Sequence, residues 1–311
     1  MTVFSSVDRL HMAEALRLAE KGLWTTSPNP RVGCVIVRDG RVVGSGWHAR
    51  AGEPHAEAHA LKEAGDRAAG ATVYVTLEPC SHHGRTPPCA DALIAAKPAR
   101  VVAAMQDPNP QVAGSGFDKL RAAGISVESG LMEAEASELN IGFVARMTRG
   151  LPWVRMKIAA SLDARTALAN GQSQWITGPE ARRDGHAWRA RACAVLTGIG
   201  TVRDDDPQLN VRDVQTPRQP LKVVVDSRLQ LAPTAKLLAT GRVLVAAAVA
   251  DQARIAALQG QGAEVLVLPD AGGKVDLAQL MRELARRELN EVHVEAGYKL
   301  NGSLLAAGLV D

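Results

Sequence analysis

The chain has 311 residues, 46% hydrophobic and 22% charged, a length comfortable for two globular domains. Its formal net charge of +3 is balanced across both halves, which argues against a body that binds nucleic acid through a concentrated positive face. Four cysteines do not make a disulfide framework, residues 1–11 hold no targeting core, and no apolar run approaches the roughly 20 residues of a membrane span, so a cytoplasmic protein is expected.

Leu10, Ala13, Leu16, Ala19 and Leu23 recur at helical spacing and predict a helix over 7–23. Thr26-Ser27-Pro28-Asn29-Pro30 reads as a loop. Apolar runs at 32–37 and 42–47 flank Asp39-Gly40 and predict a hairpin. A helix is expected over 55–68 and a buried strand over 72–77. Helix and strand then alternate at 89–96, 100–105, 115–123, 125–128 and 133–147, the order of an α/β sandwich with a mixed sheet. Thr148-Arg149-Gly150-Leu151-Pro152 reads as a boundary, giving domains at 1–148 and 152–311. Beyond it, strands are expected at 153–158, 194–198, 221–226, 243–249, 264–268 and 291–295. Helices are expected at 179–192, 251–259, 276–288 and 300–308, with Thr177 and Glu180 forming a capping box.

The strongest chemical signal is His55-Ala56-Glu57, then Glu78-Pro79-Cys80, then Cys89. A catalytic zinc takes three protein ligands and keeps a fourth position for water, whose pKa it lowers. His55, Cys80 and Cys89 supply that number. Glu57 sits beside a ligand without being one, placed to pass protons between water and a leaving amine. This is the division of labour of zinc nucleobase deaminases, with one departure: residues 81–88, rather than two residues, separate the cysteines. The alternative is a closed site with His82 or His83 as fourth ligand, which leaves Glu57 without a purpose. Cys34 and Cys193 lie in apolar runs and read as core residues.

Thr26-Ser27-Pro28-Asn29-Pro30-Arg31-Val32-Gly33, Gly52-Glu53-Pro54-His55-Ala56-Glu57, the whole stretch from Glu78-Pro79-Cys80 to Pro88-Cys89, and Gln106-Asp107-Pro108-Asn109-Pro110-Gln111-Val112-Ala113-Gly114 closely resemble the bifunctional riboflavin-biosynthesis deaminase/reductases. The long inter-cysteine loop is a feature of that family. The resemblance implies a cytidine-deaminase-like α/β/α sandwich, zinc on His55, Cys80 and Cys89, and proton transfer by Glu57. Asn29 is a candidate substrate contact, with a turn-forming Asn as the equal alternative.

The second half resembles the same family through Lys157-Ile158-Ala159-Ala160-Ser161-Leu162-Asp163-Ala164-Arg165-Thr166, Ser173-Gln174-Trp175-Ile176-Thr177, Gly198-Ile199-Gly200-Thr201-Val202, Asp205-Asp206-Pro207 and Val294-Glu295-Ala296-Gly297. The resemblance implies a dihydrofolate-reductase-like α/β domain that uses NADPH to reduce a ribosyl chain to ribityl. It places Ala159, Trp175, Thr201, Asp205, Ser227, Gly297, Tyr298, Lys299, Leu300, Asn301, Gly302 and Ser303 at the cofactor, and Ser173, Arg189, Leu209, Arg212 and Glu295 at the substrate. Asn301-Gly302-Ser303 is expected to open a helix whose free amides suit a diphosphate. Lys157 and Asp163 are candidate proton donors. The family often has Gly where Ala159 and Ala164 stand.

The implied substrate is a small phosphorylated pyrimidine, with no nucleic-acid or membrane partner and room for a homo-oligomer through the reductase domain. The family continues for several strands beyond the position of Asp311. An incomplete reductase sheet is therefore expected, with exposed apolar side chains near strand 291–295. The rival readings are a deaminase acting on tRNA or single-stranded DNA, which the balanced charge and few aromatics disfavour, and a zinc-stabilised binding protein, which Glu57 disfavours.

Overall fold

The computed structural model describes residues 4–81, 88–110 and 112–311, so His82, His83 and Gln111 lie outside the described residues. Residues divide into two compact units, Met1–Arg149 and Gly150–Asp311.

In the first unit, helix α1 (Ser6–Glu20) starts on a reciprocal cap: Ser5 accepts the Asp8 amide, and Asp8 accepts the Ser5 amide. Strands β1 (Gly33–Arg38) and β2 (Arg41–Trp47) are joined at Asp39 and Gly40, with φ of 52° and 72°, the paired positive values that a tight hairpin requires. Helix α2 (Ala56–Ala64), strand β3 (Thr72–Val75), helix α3 (Cys89–Ala96), strand β4 (Arg100–Ala103), helix α4 (Ser115–Ala122) and strand β5 (Ser126–Ser129) follow. The sheet runs β2-β1-β3-β4-β5, antiparallel across β1 and parallel from β3 to β5.

Small residues let helices seat directly on this sheet. A Cβ on Gly33 would lie 1.9 Å from the Ala15 carbonyl of α1, and one on Gly46 would lie 2.5 Å from the Ala56 carbonyl of α2. Gly46 pairs with Cys34, the neighbour of Gly33. Successive strand residues point to opposite faces, so α1 and α2 cover opposite sides, as an α/β/α sandwich demands.

Two expectations here need correction. The helix expected over 55–68 ends at Ala64, where Gly65 takes φ 54° and a 3-10 turn continues to Ala68. The helix expected over 133–147 is two helices, α5 (Glu133–Leu139) and α6 (Ile141–Arg149). They part at Asn140, whose side chain accepts the Arg31 amide at 2.7 Å and donates to the Arg31 carbonyl at 3.0 Å. The side-chain amide thus ties the helix junction to the loop before β1.

The second unit carries a parallel sheet. Its strands are β6 (Trp153–Met156), β7 (Ala194–Gly198), β8 (Leu221–Val225), β9 (Val243–Ala247), β10 (Glu264–Val267) and β11 (Glu291–Val294), in the order β10-β9-β8-β7-β11-β6. Helices α7 (Pro179–Arg191), α8 (Ile199–Asp205), α9 (Gln252–Gln259), α10 (Leu277–Arg286) and α11 (Tyr298–Ala306) lie between and after them. Alternating strand residues feed two cores, as in a parallel sheet covered on both faces. Leu196, Val223, Leu244 and Val294 pack with Leu280, Met281 and Leu304, while Val224, Val243 and Val245 pack with Leu237 and Leu258.

The expected capping box is absent: α7 begins at Gly178 without a side-chain cap, and the Thr177 carbonyl instead accepts from Arg182. Helix α11 opens at Tyr298, one turn before the expected Asn301. Strand β11 is no exposed edge. It lies between β7 and β6, and Glu291–Val294 is buried at every position. The edges are β10 and β6, and at β6 the Val154 carbonyl accepts the Asp311 amide at 3.0 Å while the Val154 amide donates to the Asp311 side chain at 2.9 Å. Exposed large apolar side chains include Leu162, Leu168 and Trp175 between β6 and α7, and Tyr298 and Leu305 on α11, the helix that follows β11. No helix among the described residues is long and apolar enough to cross a membrane.

Candidate zinc centre and reductase site

The three zinc-ligand candidates come from two helix starts and one loop. His55 is the residue before α2, Cys89 is the first residue of α3, and Cys80 follows β3. One thiol, Cys89, thus stands at a helix start, and His55 stands at the other. His55 Nδ1 lies 3.5 Å from Cys80 Sγ and 3.3 Å from Cys89 Sγ, and the three atoms fall within 4.8 Å of one another. Bond lengths of about 2.0–2.1 Å to nitrogen and 2.3 Å to sulfur put tetrahedral ligands roughly 3.5–3.8 Å apart. The donor set fits zinc in kind and in spacing.

The cluster favours one thiolate: donation from the Cys89 thiol lowers the Cys80 pKa against the effect of burial, with His55 assisting. The same contact, with burial, pushes Cys89 up. Hydrogen bonding to Cys80 raises His55.

Glu57, in the first turn of α2, is 3% exposed, and its Oε2 has no hydrogen-bond partner among the described residues. Burial pushes its carboxyl up to about 7. A carboxyl poised there can both take and return a proton near neutral pH.

Asn29 finds a partner that sequence reasoning missed. Its Nδ2 lies 3.1 Å from His48 Nε2, while His48 Nδ1 lies 3.2 Å from the Pro54 carbonyl. The carbonyl can only accept, so Nδ1 carries the proton and Nε2 accepts from Asn29. Burial lowers the His48 pKa, in keeping with a neutral ring, which stands edge-on to His55 at 5.2 Å. A lone histidine closing an edge strand gives no sequence signal for this.

In the second unit, the cofactor candidates gather at the carboxyl ends of adjacent parallel strands, where ligands of open α/β sheets bind. Ala159 follows β6, Thr201 and Asp205 lie in α8 after β7, Ser227 follows β8, and Gly297 to Ser303 follow β11. A Cβ on Gly297 would lie 3.7 Å from Thr201 Oγ1, and one on Gly198 would lie 3.2 Å from Leu300. Helix α11 starts at Gly297 without a side-chain cap, leaving its first amides for an anion. Asn301 is buried and donates to the Ala296 carbonyl, whereas Tyr298 is exposed with the Lys299 amine beside its ring.

Of the substrate candidates, Arg189, Leu209, Arg212 and Glu295 converge. Arg189 pairs with both oxygens of Glu295 and donates to the Asn210 carbonyl at 3.0 Å, and Arg212 donates to the Asn210 side chain at 2.6 Å. Burial pushes Glu295 up, but Arg189 more than offsets it and holds the carboxyl below its ordinary value. Leu209, buried beside Asn210, has φ 51°. Ser173 and Trp175 lie on the exposed segment between β6 and α7, where Arg182 stacks 4.5 Å over the Trp175 ring. Ala164, on the same segment, takes φ 62°, which explains why glycine suits that position.

The first unit therefore carries the donor set of a zinc-dependent hydrolytic deaminase, and the second has the parallel α/β sheet that suits a nucleotide-dependent reductase. Comparison with known proteins gives the same division. Residues 5–105 match the cytidine and deoxycytidylate deaminase zinc-binding region, and residues 152–311 match the RibD C-terminal domain. The riboflavin biosynthesis protein RibD of Escherichia coli is 52% identical, with 98% of this chain and 85% of the relative covered. Its Haemophilus influenzae counterpart is 48% identical over 100% and 86%. Acinetobacter baumannii RibD superposes with a TM-score of 0.90 at 46% identity, over 98% and 85% of the two chains. A Thermotoga maritima structure described as a diaminohydroxyphosphoribosylaminopyrimidine deaminase/5-amino-6-(5-phosphoribosylamino)uracil reductase gives 0.86 at 36%, over 97% and 84%.

The chain belongs to the RibD family of riboflavin-biosynthesis proteins. It is a bifunctional enzyme, a zinc deaminase and an NADPH-dependent reductase.

Proposed function

We propose that the chain deaminates 2,5-diamino-6-ribosylamino-4(3H)-pyrimidinone 5′-phosphate and then reduces the ribosyl chain of the product to ribityl. His55, Cys80 and Cys89 would hold zinc, which would supply the Lewis acidity that lowers the pKa of a bound water. Glu57 takes one proton from the attacking water and passes it to the ring nitrogen, then takes the second from the newly formed hydroxyl and gives it to the departing amino group, so that ammonia leaves and a carbonyl remains. Asn29, oriented by His48, presents its amide oxygen to the ring. The observation that carries this reading is the unpartnered, buried Glu57 oxygen beside the His55–Cys80–Cys89 cluster.

In the second unit, NADPH supplies the hydride, and this chain positions it. The first amides of α11 and the side chains of Thr201, Asp205 and Ser227 hold the cofactor, with Ala159 and Trp175 against it. Residues Ser173, Leu209, Arg212 and the Arg189–Glu295 pair receive the phosphorylated sugar, as guanidinium groups suit phosphate. The domains act at 1–148 and 152–311 in a cytoplasmic enzyme without a nucleic-acid partner, and copies associate through the reductase domain. A coupled assay of ammonia release and NADPH oxidation on one preparation tests the reading. Ammonia release from RNA rather than from the pyrimidine phosphate, or a product that fails to support NADPH oxidation, overturns it.

A further inference from the structure

Glu78 is a buried carboxylate that neither step above uses, and it is 3% exposed. It stands two residues before Cys80. Its Oε2 accepts the backbone amides of Asp107 at 3.1 Å and Gly114 at 2.9 Å, and its Oε1 accepts the Gly116 amide at 2.8 Å. Its own amide donates to the Met105 carbonyl at 3.0 Å. One side chain thereby ties the segment bearing a metal ligand to the Gln106–Gly114 motif, the one stretch of the deaminase signature that the mechanism leaves without a role.

The surrounding contacts make this junction stiff. Ser81 Oγ meets Ser115 Oγ at 2.6 Å on the far side of Cys80. Gly116 lies so close that a Cβ there would stand 2.0 Å from the Pro79 carbonyl. From the other direction, the Ala90 amide donates to the Cys80 carbonyl at 3.1 Å, and the Cys89 amide reaches Cys80 Sγ at 3.3 Å. The Cys80 segment is thus held between the first turns of α3 and α4. Its α3 side carries the other thiol ligand. Its α4 side depends on Glu78, whose negative charge also suits the positive end of that helix.

We propose that Glu78 is a positioning residue for deamination: by gathering the amides of Asp107, Gly114 and Gly116 it fixes the Cys80 arm, and so sets the geometry of the zinc ligands relative to Glu57. The proposal rests on the zinc assignment above. A carboxylate is required because only it offers acceptors to all three amides. Gln keeps one accepting oxygen and turns an N–H group toward a backbone N–H. Groups that orient metal ligands typically carry 10–100-fold in affinity or activity.

The test uses the full chain as wild type, Glu78→Gln and Gly116→Ala, with zinc affinity read by chelator competition, the thiolate-to-metal absorption of the cobalt-substituted chain, and deamination kcat and KM. Glu78→Gln should keep the thermal transition of the first unit, and Gly116→Ala, whose methyl must push the Pro79 carbonyl aside, should lower it while leaving the unit folded. Each should lose zinc at least tenfold more readily or shift the cobalt absorption, with kcat lowered at least tenfold. Wild-type zinc affinity, cobalt spectrum and kcat in folded Glu78→Gln overturn the proposal. So does the loss of the folded unit in both variants, which makes Glu78 a purely structural anchor. A wild-type chain that binds no zinc brings down the ligand assignment instead, so the two failures are distinguishable.

Discussion

Arg189 and Glu295 meet fork to fork: Nε and Nη2 of the guanidinium lie 2.5 and 2.9 Å from the two carboxylate oxygens, with each side chain only 14% exposed. One partner comes from α7 and the other from just beyond β11, so the pair fixes the helix to the carboxyl edge of the sheet. Removing one member of a buried pair strands the other charge, at about 3–5 kcal/mol. Glu295→Leu should therefore destabilise the second unit by roughly that amount and raise the reductase KM, while Arg189→Met/Glu295→Leu should cost less stability than the single change. A double-mutant cycle in urea reads this. Additive losses would show that the two groups do not depend on one another.

Glu57→Gln should abolish ammonia release while zinc stays bound. Its carboxyl is beside a ligand, buried, and unpartnered through Oε2. General acid–base groups usually contribute about 10²–10⁴-fold, so activity retained above about 1% of wild type would remove Glu57 from the proton path. Metal content by mass analysis separates lost chemistry from lost zinc.

Acid should weaken the first unit through Asp8. Burial pushes this carboxyl up, but hydrogen bonds from Arg100, Ser5 and Tyr74 outweigh it and hold the pKa well below the ordinary range. The unfolded value of about 3.9 is higher than the folded one. The stabilisation is therefore complete above that unfolded value and disappears as pH falls through the folded value. Asp8→Asn should cost about 2–3 kcal/mol at neutral pH and flatten the acid limb of the unfolding curve. Parallel stability curves for the two proteins below pH about 4 would exclude Asp8 as the source.

A fragment ending at Arg149 should fold, bind one zinc and release ammonia. All the ligand candidates and Glu57 lie within the first compact unit. An insoluble or metal-free fragment would mean that the unit needs the rest of the chain.

Much of this was legible because local chemistry and tertiary role coincide. Asp39-Gly40 can take the positive φ values of its turn, and the run Val243 to Ala247 is apolar at every position because its strand is covered on both faces. His55, Glu57, Cys80 and Cys89 were readable because zinc dictates both residue type and number. The rest depends on distant partners. Nothing around Asn140 in sequence announces Arg31, nothing near His48 announces Asn29, and Glu78 reads as motif until the amides beyond β4 are seen to close on it. The Arg run on α7 looks like a solvated face, yet Arg189 turns inward because Glu295 waits there.

The strand order of the second unit also sets the timetable of its assembly. Of the described strands of this unit, β6 is made first and β11 after all the others, yet they are neighbours, with Trp153 opposite Glu291. On the ribosome, β6 and β7 emerge with the gap between them still to be filled, while every strand of the first unit has already been synthesised. Such long-range pairing is slow, and the waiting edges are sticky. The deaminase half should thus become protease-resistant on the nascent chain well before the reductase half, which leaves the latter as the part most dependent on chaperones.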